Sequence, residues 1–127
     1  MPRHRDRLLA AVKGELESWF DADTQRCWAP EAFLYDARWE SLIGYPTEFG
    51  SARELSDHHY HYSYWIYAAA TVAAHEPDGR WVEEWGPSVE LLIRDAASPE
   101  RGDPLFPFLR LFAPFAGHSW ANGPGVS

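Results

Sequence analysis

The sequence has few of the residues that build cross-linked or membrane-bound proteins. Its 127 residues include one cysteine, Cys27, so an internal disulfide is excluded and no cysteine pair can form a zinc ribbon. Apolar runs long enough to span a membrane are also missing. Near the N-terminus, the apolar run over residues 8–12 is interrupted by Lys13 and Glu15. This pattern predicts neither a signal peptide nor a membrane-spanning segment.

Basic residues are scarce as well. Eleven Lys and Arg stand against nineteen Asp and Glu, which gives a net charge of −8. Because nucleic acids and anionic membranes are bound through clustered positive charge, we expect neither as a partner. Aromatic residues are abundant, with seven Trp, six Tyr and seven Phe. Many of them fit a heavily aromatic core, but some could line a groove, since sugar rings stack their C–H faces on aromatic planes.

Hydrophobic periodicity predicts a mainly α fold. Helices are expected over residues 5–20, from residue 56 or 57 to about 75, and over 87–97, the last with Pro87 in its first turn. Gly and Pro between short apolar pieces predict a hairpin or long structured loop within residues 32–50, and a long irregular segment from residue 98 onward. Three helices with long loops do not close a hydrophobic core, so we expect the chain to be part of a larger helical domain.

The richest chemical cluster lies where the second helix is predicted to begin. The sequence runs Asp57-His58-His59-Tyr60-His61 and continues into an apolar helix. Asp57 and His61 are one helical turn apart and therefore share a face. A carboxylate beside an imidazole at an aromatic cleft is a candidate general acid, provided that burial or a second carboxylate favours its protonated form. The alternative, which the pattern alone favours, is that Asp57 is a plain N-cap.

The histidines also suggest a metal-dependent hydrolase. His58 and His59 have no partner at the i+4 position, and no His-Glu-x-x-His or cysteine motif accompanies them. We therefore expect the histidines to serve packing or substrate contact, and we predict no metal and no other cofactor.

A second motif, Gly-His-Ser-Trp at residues 117–120, lies in the irregular segment. Its Trp and His could form a sugar platform with hydrogen-bonding groups. Ser119 is followed by Ala121, so it lacks the Gly-x-Ser-x-Gly context and is not expected to be a nucleophile.

Taken together, these segments resemble glycoside hydrolase family 81, the endo-β-1,3-glucanases. The likeness covers about residues 8–121, and its most specific motifs are the Asp-His-His cluster and the Gly-His-Ser-Trp tetrapeptide. The matching segments, in the family's order, are residues 42–46, 54–64, 68–70, 91–95, 106–110 and 116–121.

The resemblance implies that residues 1–127 are a partial catalytic domain, a fragment of an (α/α)6 barrel that a β-sandwich domain normally precedes. It also implies an extracellular enzyme that hydrolyses β-1,3-glucosidic bonds of laminarin-type or cell-wall glucans with inversion. By resemblance, Asp57 is the general acid and His61 a supporting residue of the cleft. The expected substrate-binding residues are Tyr64, His118 and Trp120.

The sequence departs from the family pattern in two ways. Ser56 stands where Asn is usual, and Tyr60 and Ser63 stand where Phe and Gly are common, which would tune packing more than chemistry. The family's general base is a glutamate shortly beyond the Gly-His-Ser-Trp loop, and the sequence ends at Ser127 without it. We therefore expect half of a catalytic pair, with the remainder of the catalytic domain as its partner. The alternative is a non-catalytic β-glucan-binding remnant.

Overall fold

The regular structure consists of three helices and two short hairpins. The computed structural model of this chain describes residues 3–21, 31–46, 55–110 and 112–119. The three helices and two hairpins are those found within these ranges. In chain order the elements are α1 His4–Phe20, β1 Ala32–Asp36, β2 Ser41–Tyr45, α2 His58–His75, α3 Arg80–Ala97, β3 Phe112–Ala113 and β4 His118–Ser119. The predicted mainly α fold with a short hairpin is confirmed. Within the described ranges, no helix has the length and apolar character needed to cross a bilayer.

The core lies between the three helices and the β1–β2 hairpin. Each helix presents an apolar stripe to it, because residues three, four or seven apart fall on one face. Its buried members are Leu16, Phe20, Leu42, Tyr62, Ala69, Val72, Trp81, Leu92 and Phe106. Full burial of one such large side chain stabilises the fold by roughly 1.5–3 kcal/mol. The three helices and the hairpin therefore hold one another in place.

A tight turn fixes the register of the first hairpin. The Oδ1 of Asp36 accepts a hydrogen bond from the backbone N–H of Arg38 at 2.9 Å, as Asp commonly does in turns. The strands are antiparallel, with Leu34 opposite Ile43. This register turns Leu42 into the core and brings the start of β2 next to α3.

The third helix begins at Arg80 and not at Pro87, so the sequence-based boundary is wrong and the proline lies inside the helix. Packing explains the difference. Trp81 is only 5% exposed, and its Nε1–H donates to Glu17 of α1 at 2.9 Å. A proline inside a helix costs about 3 kcal/mol, and the burial of Trp81 and Leu92 offsets a cost of that size.

Asp103 organises the segment that follows α3. Its carboxylate accepts hydrogen bonds from the Nε and Nη2 of Arg94 at 2.9 and 2.7 Å and from the hydroxyl of Ser98 at 2.7 Å. It also accepts the backbone N–H groups of Leu105 and Phe106 at 2.9 and 3.2 Å. One side chain therefore anchors a segment that the sequence predicts as irregular.

Replacing Pro87 by Ala should stabilise the chain. An alanine in this place has an N–H that can bond to the carbonyl of Glu83, and the clash of the ring with the preceding turn disappears. We therefore expect the free energy of unfolding to rise by about 1–3 kcal/mol. Urea denaturation followed by circular dichroism measures it. The control is Glu84→Ala, an exposed change on the same helix, which should stay within about 0.5 kcal/mol of the parent chain. A Pro87→Ala variant no more stable than the parent would contradict a strained proline.

Stability should also fall in acid because of Asp103. The hydrogen bond from Arg94 is the main cause that holds the pKa of Asp103 well below its usual range. Such a group stabilises the fold above its unfolded pKa of about 3.9 and loses that contribution as the pH falls through the folded pKa. We expect Asp103→Asn to flatten the decline in melting temperature below about pH 4. Asp78→Asn, an exposed control, should leave the decline intact, and an equal decline in both variants would disprove the assignment.

Candidate active site at the start of helix α2

Asp57 occupies the N-cap position of α2, but its side chain does not act as a cap. Its φ angle is +58°, in the left-handed region, whereas an N-cap residue is normally extended. Its backbone carbonyl accepts the N–H groups of Tyr60 and His61 at 3.0 and 2.8 Å. The predicted N-cap position of Asp57 is therefore confirmed, but its side chain makes no capping hydrogen bond. The half-buried carboxylate is not committed to the helix end.

His61 lies one turn further along α2 and lines an aromatic cleft of about 230 Å³. The lining includes Trp19, Phe33, Pro46, His61, Tyr62 and Trp65. The indole rings of Trp19 and Trp65 lie 4.8 Å apart, centroid to centroid, and Phe33 meets Trp65 edge to face at 5.2 Å. Flat aromatic surfaces beside an imidazole suit a sugar, whose C–H face stacks while its hydroxyls form hydrogen bonds.

Two side chains of α2, Tyr62 and His59, stay uncharged at neutral pH. Burial raises the pKa of the Tyr62 phenol well above its usual range, and its hydroxyl donates to the carbonyl of Leu42 at 2.7 Å. Burial also lowers the pKa of His59, and the neighbouring Arg110 and His58 add to this effect. Neither group therefore adds charge to this part of α2.

Behind the start of α2 lies a buried carboxylate that the sequence analysis missed. Asp95, in the last turn of α3, is 0% exposed. Its Oδ1 accepts the backbone N–H of Leu42 at 2.7 Å, the hydroxyl of Ser41 at 3.2 Å and the Nη2 of Arg110 at 2.9 Å. Its Oδ2 is hydrogen-bonded to the Nδ1 of His58, the first residue of α2. The available signal was its spacing, since Asp95 follows the core residue Leu92 by three positions and therefore shares its face.

Arg110 completes this buried cluster. Its Nε donates to the backbone carbonyl of Asp95 at 2.6 Å, and its Nη2 also donates to the carbonyl of Glu40 at 3.1 Å. The Arg110 side chain is only 7% exposed, so the pair is a buried ion pair and not a surface one. The Asp95 carboxylate thereby ties the end of α3 to the start of β2, the start of α2 and the loop at Arg110.

The other predicted site residues are not gathered at this cleft. Tyr64 is on α2 and 70% exposed, and it is not among the described residues that line the cleft. His118 is exposed on β4 and is likewise not among them. Trp120 lies outside the described residues. Asp57 is one turn from His61 and is joined to it by a backbone hydrogen bond, but Asp57 is not among the described residues that line the cleft either. The catalytic and substrate-binding roles of all five residues stay predictions.

The histidines and carboxylates of the described residues do not form a metal centre. Within residues 3–21, 31–46, 55–110 and 112–119, no three His, Cys, Asp or Glu side chains are grouped so that they could hold a metal ion.

The model of the glycosyl hydrolase family 81 C-terminal domain matches residues 3–125. The chain belongs to glycoside hydrolase family 81. This family 81 chain is 47% identical over 119 residues to the glucan endo-1,3-β-D-glucosidase of Acetivibrio thermocellus, and 49% identical over 121 residues to that of Thermobifida fusca. Each alignment covers 94% of this chain and 15% of the relative. The chain therefore spans about 15% of the length of these relatives.

A solved structure agrees with the sequence comparison. A glutamate-to-alanine variant of glycoside hydrolase family 81 from Clostridium thermocellum matches with a TM-score of 0.82 at 48% identity, over 93% of this chain and 16% of that one. The helices and hairpin of this family 81 chain therefore have the arrangement found in a segment of a larger protein, as the predicted barrel fragment requires.

The lack of side-chain capping predicts the cost of changing Asp57. Glycine adopts positive φ without strain and loses no capping bond here, so Asp57→Gly should leave the free energy of unfolding within about 0.5 kcal/mol of the parent chain. Asp57→Ala keeps the strained φ and should be less stable than the Gly variant by about 1 kcal/mol. Urea denaturation measures both. A loss above about 1 kcal/mol in the Gly variant would show that the carboxylate supports the helix.

Proposed function

We propose that this chain carries the general-acid side of the substrate cleft of an endo-1,3-β-glucanase. The observation that carries the proposal is the Asp57 carboxylate, which is not used to cap α2 although it sits at the N-cap position, one turn from the cleft residue His61. The relatives from Acetivibrio thermocellus and Thermobifida fusca, both named glucan endo-1,3-β-D-glucosidase, support the reaction class.

In this proposal Asp57 donates a proton to the glycosidic oxygen as the bond to the leaving sugar breaks. A second carboxylate, roughly 6.5–9.5 Å from the first, removes a proton from the attacking water, and the anomeric carbon is inverted. We assign that base to a glutamate in the part of the catalytic domain outside residues 1–127. The β-sandwich domain of the family is also assigned to a part of the protein outside residues 1–127. In the same proposal His61, which lines the cleft, contacts the sugar that Asp57 protonates.

The aromatic cleft fits a β-1,3-glucan as the substrate. The rings of Trp19 and Trp65 offer stacking surfaces for pyranose units, and such contacts supply binding without charge. The relative named primary septum glucan endo-1,3-β-D-glucosidase from Schizosaccharomyces pombe is 34% identical over 101 residues, and it supports a cell-wall polymer and an extracellular setting. We propose Tyr64, His118 and Trp120 as further residues that contact the substrate.

A hybrid enzyme tests the acid role. Residues 3–125 replace the matching segment of the Thermobifida fusca relative, and release of reducing ends from laminarin is measured. We expect the hybrid to be active and Asp57→Asn to lower its kcat by about 10²–10⁴-fold, the usual contribution of a general acid. The matched control is Asp78→Asn, an exposed carboxylate beyond the far end of α2, which should keep full turnover. Near-normal turnover in the Asp57→Asn hybrid would remove Asp57 from the mechanism.

The same hybrid separates turnover from binding alone. Inversion of a β-1,3 bond gives the α-anomer first, which proton NMR of the fresh product detects. A β-anomer would reject the inverting mechanism. A hybrid that binds laminarin-oligosaccharides and releases no reducing ends would favour the glucan-binding remnant, the alternative that the aromatic cleft also supports.

A further inference from the structure

Backbone strain is concentrated around the buried Asp95 cluster. Among the described residues, the non-glycine residues with positive φ are Glu40, Leu55, Asp57, Leu109 and Arg110. Such conformations cost free energy and persist where the surrounding structure over-determines them, often at functional sites. Arg110 belongs to the cluster, Glu40 supplies a carbonyl to it, and Asp57 directly precedes its member His58.

The strain at Asp57 has a direct chemical consequence. An N-cap Asp in the usual extended conformation places its carboxylate on a backbone N–H of the first helical turn. At φ +58° this bond is not made. A carboxylate held as an ionised cap is a poor proton donor, because both the N–H bond and the helix dipole favour the anion. The left-handed conformation thus keeps the proposed acid out of the capping role.

His58 connects Asp57 to the buried cluster. Its side chain is 1% exposed, and its Nδ1 is hydrogen-bonded to Oδ2 of Asp95. This bond fixes the first residue of α2 to the end of α3, so the peptide between Asp57 and His58 has little freedom to rotate. The Nε2 of His58 is buried without a hydrogen-bond partner in the described part of the chain. The ring is therefore held through its bond to Asp95.

We infer that Asp95 is a positioning residue for Asp57, acting through the His58 imidazole. The inference rests on the glucanase function proposed above, since it concerns the acid of that reaction. The Asp95–His58 bond holds Asp57 in the left-handed conformation, in which its carboxylate makes no hydrogen bond to the first turn of α2. Arg110, Ser41 and the N–H of Leu42 hold Asp95 itself.

The chain offers a matched control for this inference. Asp103 is also a carboxylate with a 2% exposed side chain, and it is also paired with an arginine. It bonds to the loop after α3 and to Arg94, and none of its hydrogen bonds reaches α2. Asp103→Asn should therefore destabilise the fold without changing Asp57.

Kinetics of the hybrid enzyme are the first test. We expect Asp95→Asn and His58→Leu to lower kcat about 10–100-fold while KM stays within about threefold, because a misplaced acid loses catalysis more than binding. His58→Asn should restore kcat to within about fivefold of the parent, since the Asn amide can donate where Nδ1 does. Asp103→Asn should keep kcat within about twofold. If Asp95→Asn matches Asp103→Asn, or if His58→Asn is as impaired as His58→Leu, the positioning role is wrong.

Amide exchange in the chain itself is the second test and needs no glucan. The N–H groups of Tyr60 and His61 bond to the carbonyl of Asp57 and report its conformation. In Asp95→Asn and His58→Leu, their exchange should accelerate at least about tenfold more than that of the core residue Val72. In Asp103→Asn all three should change together. Uniform acceleration in every variant would overturn the inference. Failure of the hybrid to hydrolyse laminarin would instead reject the proposed function and leave this result standing.

Discussion

The structure depends on the burial of one charge, the carboxylate of Asp95. An unpaired carboxylate in a protein interior costs several kcal/mol, so this side chain needs hydrogen-bond donors from its surroundings. The donors come from β2, α2 and Arg110, which are far apart in the sequence. Removal of any one donor leaves part of a buried charge unpaired. The positions of the hairpin, the start of α2 and the loop at Arg110 are thereby fixed relative to the end of α3.

The aromatic cleft is the second result of this arrangement. Trp19 from α1, Phe33 from β1 and Trp65 from α2 meet because the hairpin is held between the helices. The side chains that close the core also form the walls of the cleft, so the same contacts provide stability and the aromatic surface on which the proposed sugar stacking depends. His61 adds a hydrogen-bonding group to this wall, one helical turn from Asp57.

Local patterns predicted the elements well, and tertiary constraints explain the rest. The hairpin and the first two helices follow from hydrophobic spacing and turn residues, and the Asp-His-His cluster was correctly placed at a helix start. The third helix was predicted too short because a proline is a strong local signal, whereas the packing of Trp81 is a long-range one. Asp95 was missed because its spacing from Leu92 is a weak signal: a single helical Asp usually faces solvent, and its partners assemble only in the fold. The residue type alone likewise does not determine the sign of φ at Asp57.

The left-handed conformation of Asp57 limits which residues can replace it. Asn and Gly adopt positive φ most easily, and each is reachable from an aspartate codon by a single base change. Neither retains a carboxyl group. If Asp57 is the acid, the mutations that the backbone accepts most readily are also the ones that end catalysis. A glucan-binding protein without turnover could therefore arise in one mutational step, with its aromatic cleft and its buried Asp95 cluster unchanged.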